Sequence, residues 1–167
     1  MALFEPIFEA LSAADVRYVV VGGVAVVLHG HARLTADLDL AVDLEPAAAR
    51  RAIRALSDLG LRPRAPVRAE DFADPDVRSS WMRERGMVVF SMVDPSDPLR
   101  VVDLFVDEPL PFEELHERAR AVDVAGIPVR VAAIPDLITL KLRAGRPQDE
   151  ADVAALRELQ GPGEEPR

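Results

Sequence analysis

The sequence of 167 residues contains no cysteine and no long uninterrupted apolar run. The missing cysteines exclude disulfides, thiolate metal sites and cysteine nucleophiles. The longest apolar run, residues 18–27, is interrupted by Gly22 and Gly23 and is shorter than the roughly 18 residues that a membrane span needs. No basic segment followed by an apolar stretch opens the chain, so the first residues do not resemble a signal peptide. These absences favour a cytoplasmic protein with no membrane partner.

Positive charge is also scarce, because 29 acidic residues outnumber 20 basic ones and give a formal net charge of -9. Such a chain should not coat nucleic acid nonspecifically, since phosphate binding relies on basic surface. Carboxylates that hold divalent cations would account for part of the excess. With 49% hydrophobic residues, the length suffices for one domain with a packed core.

Hydrophobic periodicity and turn residues predict one mixed α/β (α+β) domain over residues 1–160, followed by a disordered tail at 161–167. Its core spans about 1–132 and its C-terminal helices about 134–160. The predicted elements are a helix at 4–11, a strand at 17–21, a helix at 24–29, a strand at 36–42, a helix at 46–59, strands at 87–93 and 100–106, a helix at 112–120, a hairpin at 121–131, and helices at 135–143 and 147–159. The stretch 62–85, rich in Pro, Asp and Arg, is interpreted as a mobile insertion.

Two carboxylates, Asp37 and Asp39, alternate with Leu38 and Leu40 on a predicted strand. Residues two apart on a strand project from the same face, with Cα atoms roughly 6–7 Å apart. Their mutual repulsion would be neutralised by a pair of Mg²⁺ ions, which take oxygen ligands and stabilise both oxygens of a phosphoryl transfer. The alternative is an edge strand with a solvated acidic face, and an isolated pair of this kind favours that alternative.

Two further features accompany the acidic pair. Gly22 and Gly23 separate a predicted strand from a predicted helix, where backbone N–H groups bind phosphate; alone, they would favour a tight turn. Asp103 lies within an otherwise apolar strand, where a buried carboxylate needs a cation beside it. That cation is either a metal ion or the basic partner of a structural salt bridge.

The C-terminal helices contribute charged candidates. Lys141 shares a helical stripe with Leu137, Leu140 and Ala144, so it points with the apolar face toward the domain. It either snorkels at the edge of that face or directs its charge at the β- or γ-phosphate of a nucleotide, and the second interpretation is favoured. Asp149 and Asp152 share a face of the last helix, and helix-dipole compensation explains Asp149 fully but Asp152 only partly.

Five segments, in this order, resemble the nucleotidyltransferase superfamily typified by DNA polymerase beta, and most closely its minimal bacterial branch of AbiEii and MenA-type toxins. They are Val21-Gly22-Gly23-Val24-Ala25, His29-Gly30, Arg33-Leu34-Thr35-Ala36-Asp37-Leu38-Asp39-Leu40, Val102-Asp103-Leu104, and Lys141 with Gly145-Arg146-Pro147-Gln148-Asp149-Glu150-Ala151-Asp152. Two positions depart from the pattern. Gly23 stands where many superfamily members have a serine whose hydroxyl binds phosphate, and Gln148 stands where a lysine is usual.

The resemblance implies a nucleotidyltransferase core, with a short mixed β-sheet flanked by helices and a small helical C-terminal part that closes over the nucleotide. It implies transfer of NMP from an NTP to an acceptor hydroxyl with release of pyrophosphate, dependent on Mg²⁺ (or Mn²⁺). The implied catalytic and metal-binding residues are Asp37, Asp39 and Asp103. The implied nucleotide-binding residues are Gly22, Gly23, Arg33, Thr35 and Lys141, with Asp149 and Asp152 as secondary candidates.

The acceptor stays open at this stage. It is either the 3′ end of tRNA or a protein hydroxyl, and a third alternative is a regulatory module that binds nucleotide without catalysis. A cognate antitoxin is a further possible partner. Arginines at 50, 51, 54, 62, 64, 68, 78, 83 and 85 are the only local basic concentration. Arg50 and Arg54, one helical turn apart, are expected to form a basic face beside the acidic pair if RNA is the acceptor.

Overall fold

The computed structural model describes residues 3–160, which form a central β-sheet with helices on both of its faces. The elements in chain order are α1 (Glu5–Ala13), β1 (Tyr18–Val21), α2 (Gly22–Leu28), β2 (Asp37–Val42), α3 (Pro46–Asp58), β3 (Arg62–Pro63), a 3₁₀ turn (Ala69–Ala73), α4 (Pro75–Arg85), β4 (Val89–Asp94), β5 (Asp97–Phe105), α5 (Phe112–Arg118), β6 (Arg120–Val124), β7 (Ile127–Val131), α6 (Ile134–Ala144) and α7 (Pro147–Gln160).

The strands of this part of the chain form one mixed sheet in the order β3-β4-β5-β2-β1-β7-β6. At its centre β2 pairs antiparallel with β1 and parallel with β5. The two outer hairpins, β4 with β5 and β6 with β7, are antiparallel. The parallel pair matters most for function, because it joins the strand of the acidic pair to the strand of Asp103.

The two faces of the sheet differ in polarity. Leu38, Leu40 and Leu104 are fully buried on one face. The acids beside them along the strands, Asp37, Asp39 and Asp103, project from the other face. Phe90 of β4 is the register partner of Leu104 and therefore shares the apolar face. The ring of Trp81 from α4 stacks on Phe90 with centroids 5.3 Å apart. Helix α4 thus covers the apolar face and leaves the acidic face to the site.

The prediction of a mobile insertion at 62–85 is wrong. Phe72 is fully buried and its ring centroid lies 5.3 Å from that of Phe90, so this segment belongs to the core. Asp74 caps α4 by accepting from the backbone N–H groups of residues 76 and 77, and Gly86 ends the helix in the left-handed conformation. Arg78 is buried and donates to the carbonyl oxygens of Phe72 and Leu44.

The remaining predicted elements occur within one to three residues of their expected bounds, and the predicted mixed α/β class with its helix-flanked mixed sheet is confirmed. Helix α2 begins two residues earlier than predicted and contains both glycines of the turn. The predicted tail at 161–167 lies outside the described residues. Within residues 3–160, every helix is too short or too polar to cross a membrane.

Candidate active site

A row of polar side chains crosses the acidic face of the sheet. Asp39 of β2 is the register partner of Asp103 on β5, and Asp103 is in turn the partner of Ser91 on β4. Asp37 precedes Asp39 by two residues and projects from the same face. The strand pairing therefore brings all three predicted acidic ligands together on one side of the sheet.

Asp39 is the most perturbed carboxyl of this group. Burial, followed by repulsion from Asp103 and then from Asp37, raises the pKa of Asp39 to about 6. The charge of Arg146 and a hydrogen bond from the backbone N–H of Gly23 act in the opposite direction. The surroundings of Asp39 therefore disfavour its ionised form, and a bound cation would stabilise that form.

Asp103 carries an unsatisfied acceptor. Its Oδ1 is buried and lacks a hydrogen-bond partner within the part of the chain that the structure describes. Burial raises the pKa of Asp103 and repulsion from Asp37 adds to this, while a hydrogen bond from Ser91 and the charge of Arg64 oppose it. Asp107, the other acid of the same parity, lies beyond the end of β5, is exposed and accepts from the N–H of Glu108.

The donor set suits a hard divalent cation. Asp37, Asp39 and Asp103 offer only carboxylate oxygens, and one of those oxygens is buried without a partner. The described residues contain no group of three His, Cys, Asp or Glu side chains already arranged at metal-binding distances. The chemistry of the three side chains thus fits Mg²⁺ or Mn²⁺, and their present separation requires side-chain adjustment on binding.

The glycine turn packs directly against the acidic pair. Gly22 has φ of +64°, and a Cβ added there would lie 2.6 Å from Cγ of Asp39 and overlap its carboxylate. Both the backbone conformation and the space therefore require glycine at this position. Gly23, the next residue, lies against Thr35, whose hydroxyl is 3.4 Å from the carbonyl oxygen of Asp37.

The predicted cations and the two secondary acids form one ion-pair cluster. Lys141 is only 4% exposed, and its Nζ lies 2.6 Å from Oδ2 of Asp152 and 3.2 Å from Oδ1 of Asp149. Asp152 also binds the guanidinium of Arg33. Helix α7 is thereby fixed to α6 and to the loop that precedes β2, with both cations held beside the glycine turn.

Arg146 belongs to the same cluster, although the sequence analysis did not single it out. Its Nε lies 2.9 Å from Oδ2 of Asp149. Burial acts to raise the pKa of Asp149, but hydrogen bonds from Arg146 and Lys141 hold that pKa below its ordinary value. The signal was the Gly-Arg-Pro turn between the two last helices, where the arginine immediately before α7 meets Asp149 in the first turn of that helix.

A cleft of about 360 Å³ opens beside Asp39. Its walls are mainly apolar and come from β1, α2, β2, the residue before β4, β5, the loop after β5 and α6. They include Val21, Gly22, Val88, Phe105, Leu137 and Leu140, with Lys141 and Arg146 at the charged end. Small-molecule sites commonly have this size and this mixture of apolar walls with few charged groups. The cleft therefore has room for part of a nucleotide beside the acidic row, which consists of Asp37, Asp39 and Asp103.

The expected basic face at Arg50 and Arg54 is wrong. Both are exposed on α3, which packs on the 3₁₀ turn and so lies on the apolar side of the sheet, away from the acids. Arg64 is placed differently. Its backbone N–H donates to the carbonyl oxygen of Ser91 and its charge lowers the pKa of Asp103, so it stands at the end of the polar row.

Several solved structures share this fold, among them an adenylyltransferase and a putative nucleotidyltransferase. The antibiotic-resistance factor ANT(2'')-Ia matches over 96% of this chain and 83% of its own, at 16% identity and a TM-score of 0.63. The lincosamide antibiotic adenylyltransferase LnuA, solved with lincomycin bound, matches over 95% and 96%, at 14% identity and 0.62. A putative nucleotidyltransferase from Thermotoga maritima matches over 95% and 91%, at 15% identity and 0.56. No curated protein matches the sequence significantly.

The fold is therefore the nucleotidyltransferase fold, and the acidic row lies on its sheet. The sequence is matched over residues 7–165 by the family described as "Nucleotidyl transferase AbiEii toxin, Type IV TA system". The chain belongs to this AbiEii family, and it is a nucleotidyltransferase. The predicted family resemblance and the predicted enzyme class are confirmed.

Proposed function

We propose that this enzyme transfers NMP from an NTP to an acceptor hydroxyl and releases pyrophosphate. The observation that carries the proposal is the register of β2 and β5, which sets Asp39 opposite Asp103 and leaves a buried oxygen of Asp103 without a partner. In-line attack on an α-phosphate brings negative charge next to these acids, so cations must accompany the substrate. Residues 1–160 act as one domain, in which α6 and α7 complete the nucleotide site.

Asp37, Asp39 and Asp103 would hold the Mg²⁺ (or Mn²⁺) ions. When bound, such ions neutralise charge on the phosphates and stabilise the attacking and leaving oxygens. Asp103 is also suited to accept the proton of the acceptor hydroxyl, because its buried Oδ1 has no hydrogen-bond partner among the described residues. Replacing Asp103 by asparagine removes that proton acceptor and keeps the size of the side chain.

The triphosphate is positioned by the glycine turn and the cation cluster. Arg33, Lys141 and Arg146 supply three positive charges against the two carboxylates of Asp149 and Asp152, which leaves the cluster with a net charge of +1. The acids hold the cations in place before substrate arrives, so less conformational entropy is lost on binding. A cluster of this sign beside the cleft suits the β- and γ-phosphates.

The proposed acceptor is the 3′ end of tRNA, and the enzyme would act in the cytoplasm with a cognate antitoxin as a regulatory partner. The support is the family's description as a type IV toxin and the exposed Arg64 at the far end of the polar row. A protein hydroxyl is the competing acceptor. ANT(2'')-Ia has been solved in complex with adenylyl-2''-tobramycin and LnuA with lincomycin, which adds a small molecule as a third outcome.

The test is incubation with Mg²⁺ and each of the four α-labelled NTPs, with total tRNA or a cell lysate as the acceptor source. Label on tRNA supports the proposed acceptor, label on a protein or on a small molecule replaces it, and no label with any NTP refutes the transfer activity. Asp103→Asn is the control and should abolish labelling while the protein stays folded by circular dichroism. Undiminished labelling by that variant would refute the assignment of the acidic row.

A further inference from the structure

Gly23 is a glycine that its backbone does not require. Its φ lies outside the left-handed region, unlike that of Gly22, so any residue could adopt its conformation. It also lies within the first turn of α2, where glycine is less favourable than alanine by roughly 0.5–1 kcal/mol. The reason for glycine at this position must therefore be the space around it.

That space is filled by Thr35. A Cβ added to Gly23 would lie 2.5 Å from Oγ1 of Thr35 and 3.0 Å from its Cβ. Contacts shorter than 3.0 Å to a real Cβ essentially never occur, so a side chain on residue 23 would force Thr35 out of its present position. Because a serine hydroxyl lies one bond beyond Cβ, Thr35 Oγ1 stands in the region that a serine hydroxyl at position 23 would reach.

The Thr35 hydroxyl is available to a ligand. Its nearest acceptor, the carbonyl oxygen of Asp37, is 3.4 Å away, beyond the 2.5–3.0 Å of a good O–H···O hydrogen bond. A guanidinium accompanies it, because Cζ of Arg33 lies 3.4 Å from the same added Cβ. Thus a hydroxyl donor and a cation converge on the glycine turn, next to the carboxylate of Asp39.

We propose that Thr35 supplies, from the loop before β2, the phosphate-binding hydroxyl that related enzymes carry on the residue after the first glycine, and that Gly23 is glycine to admit it. This inference rests on the proposed function, since it assumes an NTP beside the turn. It makes positions 23 and 35 alternatives, because a side chain at position 23 would displace the Thr35 hydroxyl from its present place.

The test uses binding, measured by calorimetry with the α,β-methylene analogues of ATP, GTP, CTP and UTP, and transfer kinetics with the NTP that is used. Thr35→Val removes the hydroxyl and keeps the shape. A lost hydrogen bond to a charged phosphate should weaken analogue binding about 10- to 100-fold. Thr35→Ser should bind like the wild type. Thr139→Val is the matched control, since Thr139 is the other threonine and donates within α6 to the carbonyl of Pro135.

Kinetics separate ligand binding from a structural role. A hydroxyl that holds the triphosphate equally in the ground and transition states should raise KM for NTP and leave kcat nearly unchanged when it is lost. A hydroxyl that merely fixes the loop before Asp37 would instead lower kcat by misplacing that carboxylate. A fall in kcat with unchanged analogue binding would therefore overturn the inference, even though the enzyme still transfers nucleotides.

A double variant tests the exchange of positions. Gly23→Ser alone should weaken analogue binding despite its added hydroxyl, because the new Cβ displaces Thr35. Gly23→Ser with Thr35→Ala removes the hydroxyl that the new Cβ would meet at 2.5 Å. Binding by this double variant should be tighter than by Gly23→Ser or by Thr35→Ala. Equal or weaker binding would overturn the inference, and so would failure of the wild type to bind any analogue, which would also refute the proposed function.

Discussion

Removing the charge of Asp39 should stabilise the metal-free protein while it abolishes nucleotide transfer. The folded protein holds the Asp39 proton more tightly than the unfolded chain does, since the pKa rises from 3.8 to about 6. Ionisation then favours unfolding, so this residue costs stability as the pH rises from about 4 to 6, and the full cost persists above pH 6. Asp39→Asn keeps the shape and removes that cost.

The magnitude follows from the two pKa values. A shift of about two units corresponds to about 3 kcal/mol, because each unit is worth about 1.4 kcal/mol. The linkage relation gives a difference between the asparagine variant and the wild type of about 1 kcal/mol at pH 4.5 and about 3 kcal/mol at pH 7.5. Carboxyls that do not interact with Asp39 cancel in this comparison, and the repulsion between Asp39 and its neighbours Asp103 and Asp37 is part of the measured difference.

Urea unfolding at both pH values, with EDTA present, measures this difference. Asp58→Asn is the matched control, because Asp58 is exposed at the end of α3 on the opposite side of the sheet. It should show little change at either pH. Excess Mg²⁺ should stabilise the wild type more than Asp39→Asn, because binding to the native state adds to stability. An Asp39→Asn protein no more stable than the wild type at pH 7.5 would refute the electrostatic account of this site.

Three further changes test other parts of the structure. If RNA is the acceptor, Arg64→Glu should weaken acceptor use about tenfold and make activity less sensitive to salt than that of the wild type. Arg50→Glu, an equal charge change on the other side of the sheet, should do neither. Equal effects of the two changes would contradict the placement of the acceptor. Asp152→Ala should lower the unfolding free energy by about 3–5 kcal/mol, because it leaves the buried Lys141 short of a counter-charge, and an unchanged urea midpoint would contradict that. Trp81→Ala should lower the unfolding free energy by about 3–5 kcal/mol in the same measurement. If residues 62–85 were a mobile insertion, this substitution would leave the unfolding free energy unchanged.

The three acids of the site were predictable because each has a local pattern in the sequence. Asp37 and Asp39 alternate with leucines, and Asp103 interrupts an apolar run, so strand periodicity alone assigns their faces. Only the direct pairing of Asp39 with Asp103 required the structure, because register between strands more than 60 residues apart depends on the whole sheet.

Contacts between distant segments could not be predicted in the same way. Arg33 and Asp152 are 119 residues apart, and their partnership has no local signature. Helical periodicity correctly predicts that Arg50 is exposed on α3, but it does not predict which face of the sheet the helix covers. The segment 62–85 was misjudged because its burial depends on two aromatic residues, Phe72 and Trp81, among many polar ones.

Enzymatic activity depends on the register between β2 and β5, because their parallel pairing brings Asp39 and Asp103 together. A slip of one residue would set Val102 or Leu104 opposite Asp39 and turn Asp103 toward the apolar side of the sheet. A misaligned molecule would therefore be both inactive and unstable, since a buried carboxylate would meet hydrocarbon. We expect recovery of activity during refolding to coincide with formation of the central strand pair. Molecules with β-structure but the wrong alignment would be unable to modify any acceptor, so nucleotide transfer would be confined to correctly folded copies.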